Sequence, residues 1–334
     1  MKPVIKLAYS DFWPEFNRET DYFTQIIRRH YTVEWSDQPD FLIYSVFGFE
    51  YLRYSCVRIF YTGENVRPDF RDCDYAFSFD YLDRPEHYRL PFYAYRSAGA
   101  NLEDPSRDFE AELARKTRFC TFVYSDPSGI RRNRFLKKLS RYKRVDSGGN
   151  YLNNVGGRVA DKLAFLREGK FTIAFEHTSY PGYTTEKITD ALWAGTMPIY
   201  WGNPLINRDF NTGHFLNAHD FENDDELIGR IVELDRDDEQ YLAVMRRPVF
   251  SDGVDSPFSR EANILAQFDR IFTTPIVPVA LRRKWARRWD RQIRPLACRV
   301  RNRYWRQRRH WAHVKYAFGK LKSRCWFWQT GTPY

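Results

Sequence analysis

The stretch from Phe171 to Pro204 reads FTIAFEHTSYPGYTTEKITDALWAGTMPIYWGNP. Its first five residues, FTIAF, predict a short β-strand, and the later run MPIYW has the composition of a buried strand. Between them a helix is predicted to begin near Glu186, with Thr185 as its cap, and to end at Gly195. The loop therefore brings its polar residues to the carboxyl end of a strand and the amino end of a helix. An open α/β sheet binds ligands at that edge, and the free N–H groups of a helix start favour a phosphate.

Two charged residues, Glu186 and Lys187, occupy the first turn of this predicted helix. A carboxylate can accept hydrogen bonds from two sugar hydroxyls, and an ammonium beside it can neutralise a diphosphate. The pair therefore fits a sugar nucleotide. An ordinary acidic first turn followed by a solvated lysine has the same spacing and needs no ligand. The spacing alone leaves both interpretations open.

Strand and helix patterns alternate along the rest of the chain. VIKLAY near the start and VRIFYTGE at residues 57–64 predict strands, and DYFTQIIRRHY between them predicts a helix. Such alternation is typical of parallel α/β layers. The polar region from Arg96 to Arg115 has little strand pattern and fits a linker, and 334 residues suffice for two domains.

The amino-terminal sequence MKPVIKLAYSDFWPEF contains no apolar run of signal-peptide length, and no eighteen-residue apolar run occurs anywhere. We therefore expect neither secretion nor a membrane span. The five cysteines are scattered, odd in number and without a C-x-x-C pair; they are Cys56, Cys73, Cys120, Cys298 and Cys325. This usage indicates reduced thiols in the cytoplasm rather than a disulfide or zinc framework.

Charge is distributed unevenly along the chain. Residues 280–334, which we call the basic tail, hold 17 of the 53 Lys and Arg residues against the single acid Asp290. The remaining 36 basic and 42 acidic residues leave residues 1–279 at −6, although the whole chain carries +10. Six of the ten tryptophans also lie in the basic tail: Trp285, Trp289, Trp305, Trp311, Trp326 and Trp328.

Two long motifs identify a family. FEHTSYPGYTTEKITDALWAGTMPIYWG, residues 175–202, resembles the most characteristic motif of the α-1,3/1,4-fucosyltransferases, which use GDP-fucose as donor. FYTGENVRPDFRDCDYAFSFDYL, residues 60–82, resembles a second motif of the same family. The resemblance covers most of residues 4–275 and does not extend to the basic tail. It implies a GT-B fold, in which two Rossmann-like domains face each other across a cleft.

On this basis we divide the chain into four parts. Residues 1–115 are predicted to form an amino-terminal, acceptor-side Rossmann-like domain, and residues 116–258 a carboxyl-terminal domain that binds GDP-fucose. Residues 259–279 are predicted to form a helix that crosses back toward the first domain. The basic tail, residues 280–334, follows as a separate helical, membrane-associating segment.

Fucosyl transfer needs a base that deprotonates the acceptor hydroxyl. Glu64 lies at the end of the predicted strand VRIFYTG, where Gly63 permits a turn toward the cleft. A single glutamate at a strand end is most often a solvated loop residue. The resemblance, however, matches Glu64 to the glutamate that serves as catalytic base in the family.

Departing GDP needs positive charge. Lys187 and Arg132 supply it in our prediction, because an ammonium together with a planar guanidinium fork can neutralise a diphosphate without a metal. The family has an arginine that aligns with Arg132, but Arg131 is adjacent and a slip of one residue leaves the choice open. A basic, solvated helix start is the alternative interpretation.

Three further positions match the family motif of the donor pocket. Glu186 corresponds to the glutamate that holds the nucleotide ribose, Tyr183 to a tyrosine of the pocket and Glu176 to another motif position. The next residue, His177, departs from the pattern, because the family commonly has Asn there. A histidine can still donate to a phosphate or the ribose, but its charge depends on pH, which puts donor affinity and pH optimum in question.

Asp72, Cys73 and Asp74 spell D-x-D, the metal-binding signature of a different glycosyltransferase fold. The triplet lies inside the second family motif beside a predicted strand, which favours a structural role. We therefore expect no metal site and no required cofactor.

The basic tail has apolar residues at helical spacing, from Trp285 through Ile293 to Tyr304, with Arg and Lys on the other faces and Pro295 as a kink. A basic helix with tryptophans on its apolar side is typical of an interfacial membrane anchor. We expect it to hold the protein on an anionic surface, peripherally at the inner face of the cytoplasmic membrane. A helix packed on the body and a nucleic-acid-binding segment are the alternatives.

Taken together, the sequence predicts an inverting α-1,3/1,4-fucosyltransferase of class EC 2.4.1. It would move L-fucose from GDP-fucose to the 3- or 4-hydroxyl of GlcNAc in a glycan acceptor. The alternatives are a GT-B transferase that uses another sugar nucleotide, or an inactive relative that binds membrane or RNA through the basic tail. The presence of Glu64 argues against the inactive relative.

Overall fold

The computed structural model describes residues 2–96, 102–250, 259–282 and 296. Its first sheet consists of β1 (Val4–Ser10), β2 (Thr32–Trp35), β3 (Phe41–Tyr44), β4 (Val57–Tyr61), β5 (Tyr75–Ser78) and β6 (His87–Arg89). These six strands are all parallel and lie in the order β2-β1-β3-β4-β5-β6. Parallel sheets are covered on both faces, and Leu7, Ile43 and Ile59 accordingly have no exposed surface.

The second sheet consists of β7 (Arg118–Phe122), β8 (Val145–Ser147), β9 (Gly169–Phe175), β10 (Met197–Trp201) and β11 (Leu216–Asn217). It is also entirely parallel, in the order β11-β10-β9-β7-β8. All seven residues of β9 are buried, as expected for a central strand with helices on both faces.

Ten α-helices occur in the described part of the chain. They are α1 (Tyr22–His30), α2 (Phe92–Arg96), α3 (Phe109–Ala114), α4 (Ile130–Leu139), α5 (Lys162–Arg167), α6 (Glu186–Trp193), α7 (Asp224–Arg236), α8 (Asp238–Met245), α9 (Glu261–Thr273) and α10 (Val279–Arg282). Five of them, α1, α3, α5, α7 and α8, begin at an Asp or Asn side chain that accepts hydrogen bonds from free N–H groups. Asp21, for example, accepts hydrogen bonds from Phe23 N at 3.0 Å and Thr24 N at 3.4 Å at the start of α1.

Helix α9 packs on the first sheet although it follows the second sheet in sequence. The Phe268 ring lies 5.2 Å from the ring of Phe23 on α1 and 4.9 Å from that of Phe77 on β5. At the surface, His30 Nδ1 lies 3.0 Å from an Asp269 carboxylate oxygen. The chain thus returns to the first domain before it reaches the basic tail.

Strand order reverses at one point in each sheet, and these points locate ligand sites in open α/β folds. In the first sheet the reversal lies between β1 and β3, since β2 is on the far side of β1. In the second it lies between β7 and β9, since β8 is on the far side of β7. The loops after β7 and β9 therefore form the expected ligand site of the second sheet, and the predicted donor-binding residues lie on or beside them.

The two domains are in direct contact beside these loops. Arg89 at the end of β6 pairs with Asp209 through nitrogen–oxygen distances of 2.9 and 2.7 Å, and the Asp209 side chain is fully buried. The rings of Tyr93 on α2 and Phe210 lie 4.9 Å apart. Burial of these groups fixes the carboxyl ends of the two sheets against one another.

The predicted α/β class is confirmed, because the chain forms two parallel sheets that are connected by helices. The prediction that Thr185 caps α6 is wrong in its chemistry, because the Thr185 side chain makes no capping hydrogen bond and instead faces Glu176. Gly195 does end α6, with a φ of +66° that favours glycine.

The first sheet and α9 lie within the predicted ranges 1–115 and 259–279, and the second sheet lies within 116–258. Within the described residues, no helix combines the length and the apolar character needed to cross a membrane. The prediction about the basic tail falls outside the described residues from position 283 onward, apart from Leu296.

Candidate functional site

The loop after β9 and the start of α6 form the centre of the candidate site. Glu176, directly after β9, is 1% exposed and accepts hydrogen bonds from Thr185 N at 2.7 Å and from Lys187 Nζ at 3.0 Å. Thr185 Oγ1 donates to the same carboxylate at 2.9 Å. Glu176 was predicted to contact the donor, but its carboxylate is enclosed by these protein groups. Its position is that of a residue that orients Lys187.

Lys187 lies between two carboxylates. Burial favours the neutral amine, but the negative charges of Glu176 and Glu186 outweigh burial and raise the pKa of Lys187 well above its usual range. Its ammonium is therefore charged at neutral pH, and the Lys187 side chain is 19% exposed. It keeps a fixed positive charge at the amino end of α6, where the helix dipole also favours an anion.

Glu186 lies at the first position of α6, with one carboxylate oxygen 4.0 Å from Lys187 Nζ. Burial is the largest influence and opposes ionisation, yet Lys187 and Lys162 together lower the pKa of Glu186. Its side chain is 25% exposed. Unlike Glu176, it can therefore present an ionised carboxylate to hydroxyl groups of a ligand.

The two arginines at the start of α4 have different environments. Arg132 is 3% exposed as a residue. Its guanidinium lies 4.4 Å from the centre of the Tyr124 ring and donates to the Asp126 carbonyl. Its charge contributes to lowering the pKa of His177. Arg131 instead pairs with Asp224 at 2.8 Å. The structure thus brings Arg132, rather than Arg131, to the loops at the reversal point.

Tyr124, which the sequence analysis did not single out, connects the two cations. It follows β7, and its hydroxyl lies 2.9 Å from the carbonyl oxygens of both Ile173 and Phe175 on β9. The charges of Lys187 and Arg132 both act on Tyr124, although burial dominates and raises its pKa. Its place two residues after β7, at the carboxyl edge of the second sheet, is the signal that could have pointed to it.

Tyr183 lies in the loop before α6 and is 4% exposed. Burial, followed by the charge of Glu176, raises its pKa, and the charges of Lys187, Glu64 and Glu186 also act on it. Its ring packs against the Phe79 ring of the first domain at 5.2 Å. Tyr183 therefore lies within range of the charges of both Glu64 in the first domain and Lys187 in the second.

His177 follows Glu176 and has an exposed side chain. Burial of part of its ring and the charge of Arg132 lower its pKa, while Asp126 and Glu64 act in the opposite direction. The imidazole is therefore neutral at pH 7 and can donate one hydrogen bond. This is the same capacity that an Asn at this position would offer.

Glu64 is exposed in the loop after β4, on the opposite wall of the cleft. Its backbone is fixed by Thr62, because Glu64 N donates to Thr62 Oγ1 at 2.9 Å and that hydroxyl donates to the Glu64 carbonyl at 3.1 Å. Its charge reaches His177 and Tyr183. A solvent-accessible carboxylate thus faces the donor loop from the first domain.

The loop that carries Glu64 is tied to the donor loop by its neighbours. Asn65 donates to Thr178 Oγ1 across the cleft. The Arg67 guanidinium lies 3.5 Å from the centre of the Tyr180 ring, and its Nε lies 3.3 Å from an Asp80 oxygen. We call Asn65 and Arg67, with these partners, the interdomain clasp. Its contacts with Thr178 and Tyr180 join the loop after β4 to the loop before α6.

The D-x-D triplet is structural. The Asp74 carboxylate accepts hydrogen bonds from Arg58 N at 3.0 Å and Val279 N at 2.7 Å, so that it anchors α10. Asp72 is 4% exposed, and Tyr51 donates to it. Across the part of the chain that the structure describes, no three His, Cys, Asp or Glu side chains are grouped as a metal site.

The site therefore holds two cations, the partly exposed Lys187 and the buried Arg132 beside the Tyr124 ring. It also holds the partly exposed, ionised carboxylate of Glu186, and the first domain contributes the exposed carboxylate of Glu64. This arrangement can hold an anionic group at the start of α6 and accept a proton from a hydroxyl that approaches from the first domain. Of the predicted residues, Arg132, His177, Tyr183, Glu186 and Lys187 lie around one cleft opposite Glu64. Glu176 lies beneath them.

Two family models match the chain. "Alpha-(1,3)-fucosyltransferase FucT N-terminal domain" matches residues 7–96, and "Glycosyltransferase family 10 (fucosyltransferase) C-term" matches residues 113–246. The α-(1,3)-fucosyltransferase FucT of Helicobacter pylori is 34% identical over 287 residues, which are 73% of this chain. The chain spans 60% of the length of that relative.

Solved structures are similar over most of the chain. A crystal structure of an α1,3-fucosyltransferase with GDP-fucose is 30% identical, with a TM-score of 0.71 over 83% of this chain and 93% of the other. A second, with GDP, is 28% identical, with a TM-score of 0.72 over 83% and 92%. The predicted GT-B fold is thereby confirmed. The chain belongs to glycosyltransferase family 10, the fucosyltransferase family.

Proposed function

We propose that this chain transfers L-fucose from GDP-fucose to a hydroxyl of a GlcNAc-containing glycan, with inversion at the anomeric carbon. The observation that carries the proposal is that Lys187 in the first turn of α6 and Arg132 beside the Tyr124 ring both belong to the loops at the reversal point of the second sheet. Glu64 is exposed in the loop after β4 of the first domain. A relative and two solved structures are named α-(1,3)-fucosyltransferases, and this supports the 3-hydroxyl rather than the 4-hydroxyl as the proposed acceptor position in this chain.

In the proposed step, the Glu64 carboxylate takes the proton from the acceptor hydroxyl. The acceptor oxygen bonds to the anomeric carbon of fucose as the bond from that carbon to the phosphate oxygen breaks, and GDP leaves with the electron pair. Because the oxygen enters opposite the leaving group, a β-linked donor yields an α-fucoside. Positive charge at Lys187 and Arg132 stabilises the departing diphosphate.

The remaining donor residues have distinct roles in this proposal. Glu186 accepts hydrogen bonds from the ribose hydroxyls, and the neutral His177 donates to the ribose or a phosphate. Tyr183 forms part of the pocket between the two walls. Glu176 acts through Lys187 and is a positioning residue, since its carboxylate is occupied by Thr185 and Lys187.

We also propose that the reaction needs no metal ion, because the charges of Lys187 and Arg132 can together neutralise a diphosphate. EDTA should therefore leave most of the transfer activity in place. Complete loss of activity in EDTA, with recovery on addition of Mn²⁺, would contradict this proposal.

The donor is tested with a panel of nucleotide sugars and free disaccharides. We expect nucleotide release above the acceptor-free rate only with GDP-fucose. Acceptor-dependent release from another sugar nucleotide, and none from GDP-fucose, would instead support the alternative transferase.

We further propose that the protein works at the inner face of the cytoplasmic membrane and is held there by the basic tail. The support is compositional: 17 Lys and Arg residues and six tryptophans stand against one acid in residues 280–334. Cationic residues favour an anionic leaflet, and tryptophans favour the interface.

A further inference from the structure

Four aromatic rings lie on two loops of the first domain and form one surface, which we call the aromatic platform: Phe12, Trp13, Phe16 and Phe47. Within the loop after β1, the ring of Phe16 is 4.0 Å from that of Phe12 and 5.4 Å from that of Trp13. Phe47, in the loop after β3, has its ring 6.4 Å from that of Trp13. The rings are therefore continuous across two loops.

The platform is open to solvent. Phe47 is 48% exposed, and Phe12, Trp13 and Phe16 are half-buried. Contiguous, partly exposed aromatic side chains on a folded domain make a candidate binding surface.

Asp11 makes the platform rigid. Its carboxylate accepts hydrogen bonds from Glu50 N at 3.0 Å and Tyr51 N at 2.8 Å, and its carbonyl accepts one from Phe47 N at 2.9 Å. The loop after β1 is thus fastened to the loop after β3. Asp11 also has a φ of +59°, an uncommon backbone conformation outside glycine. Both loops are held in place before any ligand arrives.

The platform lies at the reversal point of the first sheet, because its loops follow β1 and β3. In the second sheet the corresponding loops, after β7 and β9, hold the donor residues. Open α/β sheets bind ligands at such points. By the same rule, the platform is the expected ligand site of the first domain. The proposed mechanism names no other residues of this domain that bind the acceptor.

The platform also packs against the strand that leads to the proposed base. The Phe12 ring stacks with that of Tyr61 at 6.4 Å, and Tyr61 is the last residue of β4, three positions before Glu64. Gly63 lies against the ring of Phe92, where an added Cβ would be 2.6 Å from a ring carbon. The loops that carry the platform and Glu64 follow β1, β3 and β4, which are neighbours in the sheet, so an acceptor whose hydroxyl reaches Glu64 has the platform along the same sheet edge.

We propose that the aromatic platform binds the apolar face of a pyranose ring in the acceptor glycan and determines acceptor affinity. One face of many pyranoses presents C–H groups, while the hydroxyls point outward. Trp and Phe offer rigid apolar area for such a face at little cost in conformational entropy. The proposal deepens the proposed function and rests on it, since it assigns the second substrate of the same reaction.

The test compares Trp13→Ala and Phe47→Ala with Trp193→Ala, using N-acetyllactosamine as acceptor and GDP-fucose as donor. Trp193 is a matched control because it is 47% exposed on α6, away from the platform loops. Each platform variant should raise the acceptor KM about tenfold, which corresponds to about 1.4 kcal/mol. The Kd for GDP and kcat at saturating acceptor should stay within about threefold of wild type. Trp193→Ala should leave all three quantities unchanged.

GDP binding also serves as the folding check, and Trp13→Phe, which keeps an aromatic ring, should recover most of the acceptor affinity. An unchanged acceptor KM in Trp13→Ala and Phe47→Ala, with normal GDP binding, would overturn the platform proposal. So would a change of oligomeric mass in these variants by light scattering, which would identify the surface as an interface between copies. Wild-type protein that transfers fucose to no acceptor contradicts the proposed function itself, which separates the two failures.

Discussion

At the scale of single residues, Arg131 and Arg132 show how adjacent, identical side chains acquire different roles. Arg132 lies over the Tyr124 ring, while Arg131 is held by Asp224. We expect Arg132→Ala to weaken GDP binding by about 1.5–3 kcal/mol, the range for a charged hydrogen bond. Arg131→Ala is the matched control and should change the Kd by less than a factor of about three. Isothermal titration with GDP measures both, and the reverse order would exchange the two assignments.

His87 gives the protein an acid-sensitive point away from the site. It is buried, and its Nε2 lies 2.9 Å from Ser78 Oγ. Burial, with smaller effects from Arg89 and Arg84, lowers its pKa from 6.5 to about 4. The unfolded chain therefore binds a proton below pH 6.5 that the folded chain does not bind until about pH 4. Stability is full above pH 6.5 and falls as the pH drops toward 4.

His87→Gln should remove this pH dependence, since Gln does not titrate. Between pH 7 and pH 5, the loss of unfolding free energy that is due to His87 is about 2 kcal/mol. Urea unfolding at the two pH values should show a smaller loss of unfolding free energy in His87→Gln than in wild type. An equal loss in both proteins would mean that other groups, such as the buried His214, account for acid sensitivity.

At the scale of structural elements, the interdomain clasp links the base loop after β4 to the donor loop before α6. Arg67→Ala removes both the Asp80 ion pair and the contact with the Tyr180 ring. We expect kcat to fall about tenfold while the Kd for GDP changes little, because Glu64 loses its placement but Lys187 does not. Arg67→Lys keeps a cation for Asp80 and should recover part of kcat.

Arg71→Ala is the control for Arg67→Ala, because Arg71 lies in the same connection, pairs with Asp69 at 2.7 Å and is 75% exposed. It should retain wild-type kcat. Equal losses in Arg67→Ala and Arg71→Ala would show that any charge change in this loop slows the reaction, and would remove the positioning role from Arg67.

The main elements could be predicted from the sequence because their patterns are local. The strand FTIAF and the helix start at Glu186 follow from apolar runs and spacing, and both occur in β9 and α6. Short strands such as β8 and β11, with three and two residues, carry too few residues for a pattern. Their pairing is set by neighbouring strands that are distant in sequence.

The sequence could predict which loops carry the candidate site, but not which of its side chains are buried. Motif position alone cannot tell that Glu176 is enclosed by Thr185 and Lys187, while Glu186, ten residues later, keeps an accessible carboxylate. Burial depends on the fold of the whole loop. Tyr124 was missed for the same reason, since its hydroxyl is held by carbonyls of β9, some fifty residues away in sequence.

At the scale of the whole molecule, we expect the two domains and α9, whose residues 1–279 carry a net charge of −6, to fold without most of the basic tail. Arg282 lies 3.5 Å from Asp74, so a truncation after this residue keeps the contacts of α10. The truncated protein should fold and fucosylate a free disaccharide, but lose binding to vesicles that contain anionic lipid. Wild-type binding should weaken with salt without vanishing, because tryptophan burial is not screened.

Liposome flotation measures this loss, and an RNA gel shift distinguishes a membrane from a nucleic acid. Flotation of the truncated protein at the wild-type level would show that the basic tail is not the anchor. Unfolding of the truncated protein would show that the tail is a structural part of the body.

The most direct measurement of the central claim is an NMR time course of wild-type protein and Glu64→Gln with GDP-fucose and N-acetyllactosamine in the presence of EDTA. Wild type should convert the β-linked donor into an α-fucoside on GlcNAc. Glu64→Gln should form the same product at least about a hundredfold more slowly, the usual scale for loss of a general base, with its affinity for GDP unchanged. A β-fucoside product, no transfer by wild type, or more than half of the wild-type rate in Glu64→Gln would contradict the account.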